Sequence, residues 1–310
     1  MKIKFSRFIE IFWDTIKKSI TSFINDNAIK LGSSLSYYTV FALPPLIVII
    51  ITVIGYFFGR EAIQGEVYGQ IKGLVGPVAA AQIQDTIQNI HLSRDTTMAT
   101  IIGLITLFIG ATGVFSEIQD SINTIWKIKV KPKKGIVKYI LNRLISFSMI
   151  IVIGFLLLVS LIINTLMDVL SNRLQHYFSH VTVSVFYVLN IVLVFSVITT
   201  LFTIIFKVLP DGKVNWRDSL LGSSFTAVLF MLGKFAIGFY LGNSSVTNIY
   251  GAAGSIVLIL LWVYYSSFIL YYGAEFTKTY AMNYGSKIIP NNYAVQIEVK
   301  EVERKKPVNA

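Results

Sequence analysis

FAIGFYLGNSSVTNIYGAAGSIVLILLWVYYSSFILYYGA (235–274) runs for 40 residues without one Asp, Glu, Lys or Arg. About 20 apolar residues in a helix cross the hydrocarbon layer of a bilayer, so this run is long enough for more than one crossing. Four further charge-free runs lie at Leu31–Gly59, Thr96–Ser116, Leu144–Met167 and Leu174–Phe206, the shortest of them 21 residues. Helices that are apolar on every face for this length belong in lipid, and the sequence reads as a polytopic membrane protein.

Composition agrees with that reading. Hydrophobic residues make up 54% of the 310 positions and charged residues only 14%, against about a quarter charged in a soluble domain. There is no cysteine, which excludes disulfides, thiolate metal sites and cysteine nucleophiles. The start of the chain, MKIKFSRFIEIFWDTIKKSITSFINDNAIK, has neither an uninterrupted apolar core nor a small-residue cleavage site, so no cleavable signal peptide is expected. Its apolar residues Phe5, Phe8, Ile9, Phe12, Trp13, Ile16, Ile20, Phe23 and Ile24 recur at three and four, with Lys and Arg between them. That periodicity predicts an amphipathic helix in the interface plane over residues 1–34.

Six spans are expected near 35–58, 98–117, 144–167, 183–206, 219–241 and 253–275, giving an all-α membrane domain over 35–281. An even number places both termini on one side. Lys and Arg number 22 in the N-terminal segment, the second and fourth connections and the tail, against four (Arg60, Lys72, Arg94, Arg173) on the other side. The positive-inside rule makes the first set cytoplasmic, so N and C termini are both expected in the cytoplasm of a bacterial plasma (inner) membrane protein. The net charge of +11 is thus a topology signal, and no nucleic-acid partner is expected. Trp126 and Trp216 are expected at cytoplasmic interfaces. Residues 59–97 form the one long outer segment, read as two amphipathic helices resting on the membrane. The tail, 282–310, is polar and is expected to be mostly disordered beyond residue 285.

Charge inside a span is costly unless paired or wetted, so ionisable residues there are candidates for function. Glu117 closes the second span and Asp120 lies one turn on; with Ser121 and Thr124 they are expected to line a face distinct from Ile118, Ile122 and Ile125. Glu275 closes the sixth span. Lys234 lies inside the fifth, past its centre. Two readings stand for the acids: wet groups at headgroup level, or ligands facing the bundle interior for a cation, a proton or a polar head group. For Lys234 they are snorkelling to the outer interface, or attraction of an anion into an outward cavity. Pro44 and Pro45 break the first span and free carbonyls near Tyr38 to Phe41, either as a packed kink or beside a wet cavity. Trp262, Tyr265, Tyr272 and Phe276 form an aromatic stripe that reads as packing. Gly55-xxx-Gly59 and Gly238-xxx-Gly242 would permit close helix approach.

No catalytic residue, cofactor site or metal site is found, and the chain is not expected to be an enzyme. The histidines, His91, His176 and His180, all fall outside, and the last two lack an HExxH context. There is no GxSxG, no phosphate-binding Gly-Lys-Ser/Thr loop and no GxGxxG, so the chain encodes no ATPase of its own.

Four stretches carry a family resemblance: SLSYYTVFALPPL (34–46), GVFSEIQDSINTIWKI (113–128), LPDGKVNWRDSLLGS (209–223) and YGAAGSIVLILLWVYYSSFILYYGAEFTKTYA (250–281). Together they resemble the YihY/BrkB family of bacterial inner-membrane proteins. Members are named serum-resistance or virulence factors, and an older label, ribonuclease BN, is regarded as mistaken. Some are linked to export of small solutes or to lipid movement across the inner membrane. The family pattern is matched at Tyr37, Tyr38, Pro44, Pro45, Glu117, Gln119, Asn123, Trp126, Gly251, Gly254, Glu275 and Phe276. The resemblance and the intramembrane charges together suggest a transporter or exporter of a small polar solute or lipid. The alternative is a non-transporting envelope-maintenance or assembly protein. Membrane lipids and an unidentified small-molecule or lipid substrate are the expected partners, and a homo-oligomer is compatible with the sequence. Ribonuclease activity has no clustered metal ligands to support it.

Overall fold

The structure, a computed structural model, describes residues 2–42, 81, 110, 113–131, 181–242 and 254–298. The expected spans at 98–117 and 144–167, most of the one at 35–58, the outer segment 59–97, the three histidines, Pro44, Pro45, Gly55, Gly59 and Gly251 lie mostly or wholly outside them. Within the described residues the chain is helical. Helix α1 covers Lys2–Asn25, α2 residues 28–42, α3 residues 113–125, α4 Val181–Val208, α5 Trp216–Gly242 and α6 Gly254–Asn283. Three stretches, Val188–Val208, Trp216–Tyr240 and Val257–Asn283, are long and apolar enough to cross a membrane. They fall on the expected fourth, fifth and sixth spans, although α6 runs eight residues past the expected end at 275.

Helix α5 is the middle of this group, packed against α4 on one side and α6 on the other. Lipid offers no hydrophobic drive for helices to associate, so small residues that admit close backbone approach decide where they cross. Gly222 faces Thr277 and Gly273 faces Thr226, a reciprocal Gly-xxx-Thr pair on two antiparallel helices. A Cβ on Gly222 would lie 2.8 Å from the Thr277 Cβ and 3.2 Å from its Cα. Each threonine hydroxyl donates to its own helix, Thr226 to the Gly222 carbonyl and Thr277 to that of Gly273, both at 2.7 Å. The contact is therefore dry and polar-satisfied. Gly238, by contrast, meets nothing within 4 Å among the described residues, so the close approach expected at Gly238-xxx-Gly242 is not found there. Helix α2 approaches α6 at Gly32 against Phe268, and α3 at Gly113 against Tyr38.

Helix α1 divides its circumference in three. Thr15 and Ser19 are fully buried, and Phe12 and Phe23 meet Phe276, Phe225, Phe268 and Tyr272 edge-on, which docks α1 against α6 and α5. Ile9, Trp13, Ile20 and Ile24 form a second, exposed apolar stripe. Glu10, Asp14, Lys17, Lys18 and Thr21 occupy the third face. At about 100° per residue these residues fall on three separate arcs of the helix, one against the bundle and two largely exposed.

At one end of the bundle the chain closes over itself. Strand β1 (Ile128–Val130) pairs antiparallel with β4 (Ala294–Gln296), and β2 (Gly212–Lys213) with β3 (Ile289–Pro290). The expected disorder beyond residue 285 does not hold for residues 284–298, because Ile288 and Ala294 are buried and the segment's backbone groups are paired in these ladders. Trp126 is also displaced from expectation. It is buried in protein, not at a lipid interface, and its Nε1 donates to the Ala274 carbonyl at 3.1 Å. Trp216, the first residue of α5, is exposed with the Lys207 ammonium 5.4 Å from its ring centre.

The crossing gives a direct test. Gly222→Ala forces α5 from α6 and is expected to cost about 1–3 kcal/mol, the usual range for overpacking. Gly238→Ala, in open space, is expected to be neutral or slightly stabilising in thermal unfolding of the detergent-solubilised protein.

Candidate functional site

The end closed by the strands holds two buried polar clusters. The first is built around Asp211, which is fully buried in the turn between α4 and α5. Asn123 Nδ2 donates to its Oδ2 at 2.7 Å, Gln119 Nε2 to its Oδ1 at 3.3 Å and Tyr293 Oη to Oδ1 at 3.1 Å. The Asp211 N–H in turn donates to Asn123 Oδ1 at 2.8 Å, and its carbonyl accepts from Asn291 N–H at 2.9 Å. Three separate parts of the chain are tied by one carboxylate. Burial and the nearby acid push the Tyr293 phenol above its ordinary value, which keeps it a donor. Nearby, Asn215 caps α5 by accepting from Arg217 N–H, and Asp218 accepts from Ser286 N–H at 2.8 Å.

The second cluster is ionic. Asp26, in the turn after α1, takes one oxygen to Lys127 and the other to Lys278 Nζ at 3.0 Å. Lys278 also contacts Glu275 Oε2 at 3.2 Å, one turn back on α6. Glu275 is fully buried, and no lysine, amide or hydroxyl donor among the described residues reaches its Oε1. The neighbouring Asp26 carboxylate supplies none unless one of the two acids carries a proton. Two residues flanking the cluster, Asn27 and Lys127, have left-handed backbones, φ 52° and 57°, that turn the chain after α1 and α3. Burial works against the Asp26 charge, yet Lys127, a hydrogen bond with Glu275, and Lys278 together outweigh it and hold the carboxyl below its ordinary 3.8. Among the described residues no group of three His, Cys, Asp or Glu is placed to hold a metal.

The sequence-derived candidates do not converge. Glu275 lies in the ionic cluster, within α6 and not at its end. Glu117 is half-buried, 3.5 Å from Ser121 Oγ, and faces Tyr271, one turn before Glu275 on α6, without joining the ionic cluster. Lys234 is half-buried eight residues beyond Thr226, about 12 Å from the level of Gly273, with its ammonium 5.4 Å from the Phe235 ring. The expected polar face of α3 splits: Asp120 and Thr124 are exposed, while Ser121 is buried beside Ile122 and Ile125. Gln119, Asn123 and Trp126 are scaffold residues that seat Asp211 and α6. Tyr37 and Tyr38 are exposed and packed edge-to-face on each other at 5.9 Å, and Gly254 opens α6.

Asp26, Lys127, Asp211 and Lys278 were not singled out from the sequence. The Glu275–Lys278 spacing of three was legible as a helical pair. Asp26 and Asp211 had a weaker signal, an acid in a helix-stopping turn next to basic segments.

Asn123→Ala removes a donor to a buried carboxylate and an acceptor of a buried N–H, which is expected to cost roughly 2–4 kcal/mol. Trypsin cleavage at Lys287 should accelerate in that variant, since Tyr293 and Asn291 lose their anchor. Because the Asp26 value is lowered on folding, its stabilisation is complete above about pH 4 and disappears as pH falls through the folded value. The difference in melting temperature between the native protein and Asp26→Asn is therefore expected to be constant above that point and to shrink below it.

The sequence pattern of the family described as Virulence factor BrkB matches residues 19–294. Similar proteins include a UPF0761 membrane protein of Pseudoalteromonas atlantica (strain T6c / ATCC BAA-1087), 26% identical over 245 residues that cover 78% of each chain. Another, from Saccharophagus degradans, is 26% identical over 260 residues, 84% of this chain and 58% of that one. A third, from Azotobacter vinelandii, is 28% identical over 255 residues, 82% and 60% respectively. The chain thus spans about six tenths of the length of the latter two relatives. No solved structure matches it. With a family match over most of its length and helices fit to cross a bilayer, this chain belongs to the BrkB family of integral membrane proteins.

Proposed function

We propose that the protein is a gradient-driven membrane transporter or exporter of a small polar solute or lipid, with Glu275 as its charge-binding residue. The observation that carries this reading is a fully buried carboxyl group inside a membrane-crossing helix, with one oxygen on Lys278, the Asp26 carboxyl within hydrogen-bonding reach, and no other donor to its Oε1 among the described residues. A structural ion pair would be expected to satisfy both oxygens, since an unpaired buried acceptor costs about 1–3 kcal/mol. A group that takes up and releases a proton or cation has to keep one oxygen available. Intramembrane acids of this kind mark ion and proton pathways. Asp26, Lys127 and Lys278 would then hold the charge balance as Glu275 changes state.

In this reading the strand-covered end faces the cytoplasm of a bacterial inner membrane. Lys127, Lys129, Lys131, Lys207, Lys213, Arg217, Lys278 and Lys287 all belong to the segments that form it, which supports that orientation. Transport needs no enzymatic step from the chain. Glu117, beside Tyr271 one turn before Glu275, and Lys234, roughly a dozen ångströms along α5 from the level of Gly273, would serve other points of the route.

The test is reconstitution of the full chain into liposomes under an imposed pH gradient, with two parallel readouts. One is release of a panel of small zwitterionic and anionic solutes; the other is leaflet exchange of a fluorescent phospholipid. One of the two is expected above protein-free liposomes. Glu275→Gln should lower it at least about tenfold, equivalent to roughly 1.4 kcal/mol, while eluting as folded protein. Full activity in folded Glu275→Gln overturns the assignment of the residue, and inactivity of the folded native protein in both readouts favours the non-transporting alternative.

A further inference from the structure

Along the seam where the polar face of α1 meets the last turns of α6 lies an open groove of about 460 Å³. Lys17 and Lys18 enter it from α1 and Lys278 from α6; the rest of the lining is Thr21, Ser22, Thr279, Met282 and Asn283, with no acid among them. Acids outside the lining hold two of these three lysines. Asp14 holds Lys18 at 2.7 Å and is itself fixed by the Tyr284 hydroxyl at 2.5 Å. Lys18 draws the Asp14 carboxyl below its ordinary value, so this brace is charged at neutral pH. Asp26 and Glu275 hold Lys278 from behind. Lys17 has no acidic partner among the described residues.

We propose that this groove is a binding site for a phosphate-bearing anion. The recognition chemistry is that of point-charge donors from two helices, with Ser22 and Thr279 hydroxyls within the same lining. Lys18 and Lys278 already have acidic partners, so a bound anion's charge is met chiefly by Lys17, while the several oxygens of a phosphate group can accept from lysines and hydroxyls on both helices at once. The site opens beside a helix whose other face carries the exposed Ile9, Trp13, Ile20 and Ile24 stripe, so a lipid headgroup and a free phosphate compound can both reach it. Lys278 forms a wall of the groove and also contacts Glu275, so an anion that draws Lys278 outward frees the buried acid. That link to Glu275 rests on the transport reading; anion binding itself does not.

The experiment uses the full purified chain. Inorganic pyrophosphate titrated by calorimetry probes the soluble source. Native mass spectrometry after incubation in nanodiscs containing phosphatidylglycerol or only phosphatidylcholine probes the lipid source. Binding in one arm is expected to weaken about fivefold for each lysine removed, in Lys17→Gln and then Lys17→Gln with Lys18→Gln, and to remain unchanged in Lys30→Gln. Pyrophosphate binding with this pattern identifies a free phosphate compound, and phosphatidylglycerol retention with this pattern identifies a headgroup. If loss of Lys18 disturbs the fold, Lys17→Glu alone decides, with abolished binding expected. Binding in both arms that is indifferent to Lys17, or absent from both, overturns the proposal. Neither result depends on whether the protein transports.

Discussion

The reciprocal contact of Gly222 with Thr277 and of Gly273 with Thr226 governs how the rest of this end of the molecule is arranged. With no side chain between them the backbones of α5 and α6 come together, and the threonines satisfy their hydroxyls on their own helices without demanding water. Positions 273 and 277 lie on one face of α6. Residue 275, two further along than 273, is turned about 200° from it and so points away from α5. The crossing thereby aims Glu275 and Lys278 at the turn after α1 and at the end of α3, where Asp26 and Lys127 wait. A looser crossing would let α6 rotate, and the buried acid would lose its partners.

Around this axis the protein closes one end of the bundle by pairing distant segments rather than by length of loop. The strands are only two or three residues each, too short to be stable alone, and they hold because Asp211 ties Asn123, Gln119 and Tyr293 into the same corner. Trp126 adds a second tie through its indole N–H to the α6 backbone, and Gln296 returns the contact by donating to the Trp126 carbonyl at 2.9 Å. The polar groups here are nearly all satisfied. Glu275 Oε1 and Tyr271 Oη, one turn apart on α6, are the buried exceptions nearest the ionic cluster among the described residues, and the Asp26 carboxyl lies beside Glu275.

Helix α1 carries three faces at once, one packed on α6 and α5, one of exposed apolar side chains and one of charged side chains. A single amphipathic segment can therefore both border the basic groove and support the ionic cluster through Asp26 just past its end.

The sequence by itself determined the helices. Charge-free runs located α4 and α6, and α5 was found around its one internal lysine. The three-and-four spacing of apolar residues located α1, because hydrophobic periodicity is a local property, but the single helix expected over 1–34 is broken by the turn at 26–27, after which α2 begins at 28. It also pointed to Glu275 as an acid in the wrong solvent. It assigned Gln119 and Asn123 no particular role, set Trp126 at a membrane interface where the structure buries it in protein, and passed over Asp211, Asp26 and the strands of the tail. Asn123 and Asp211 lie 88 positions apart, and Lys278 and Asp26 lie 252 apart. Spacing along a helix tells which residues share a face, but not which face of another segment arrives opposite. Only the tertiary structure decided that, by bringing glycine against threonine closely enough to fix the rotation of α6, and with it the partners of every charge at this end.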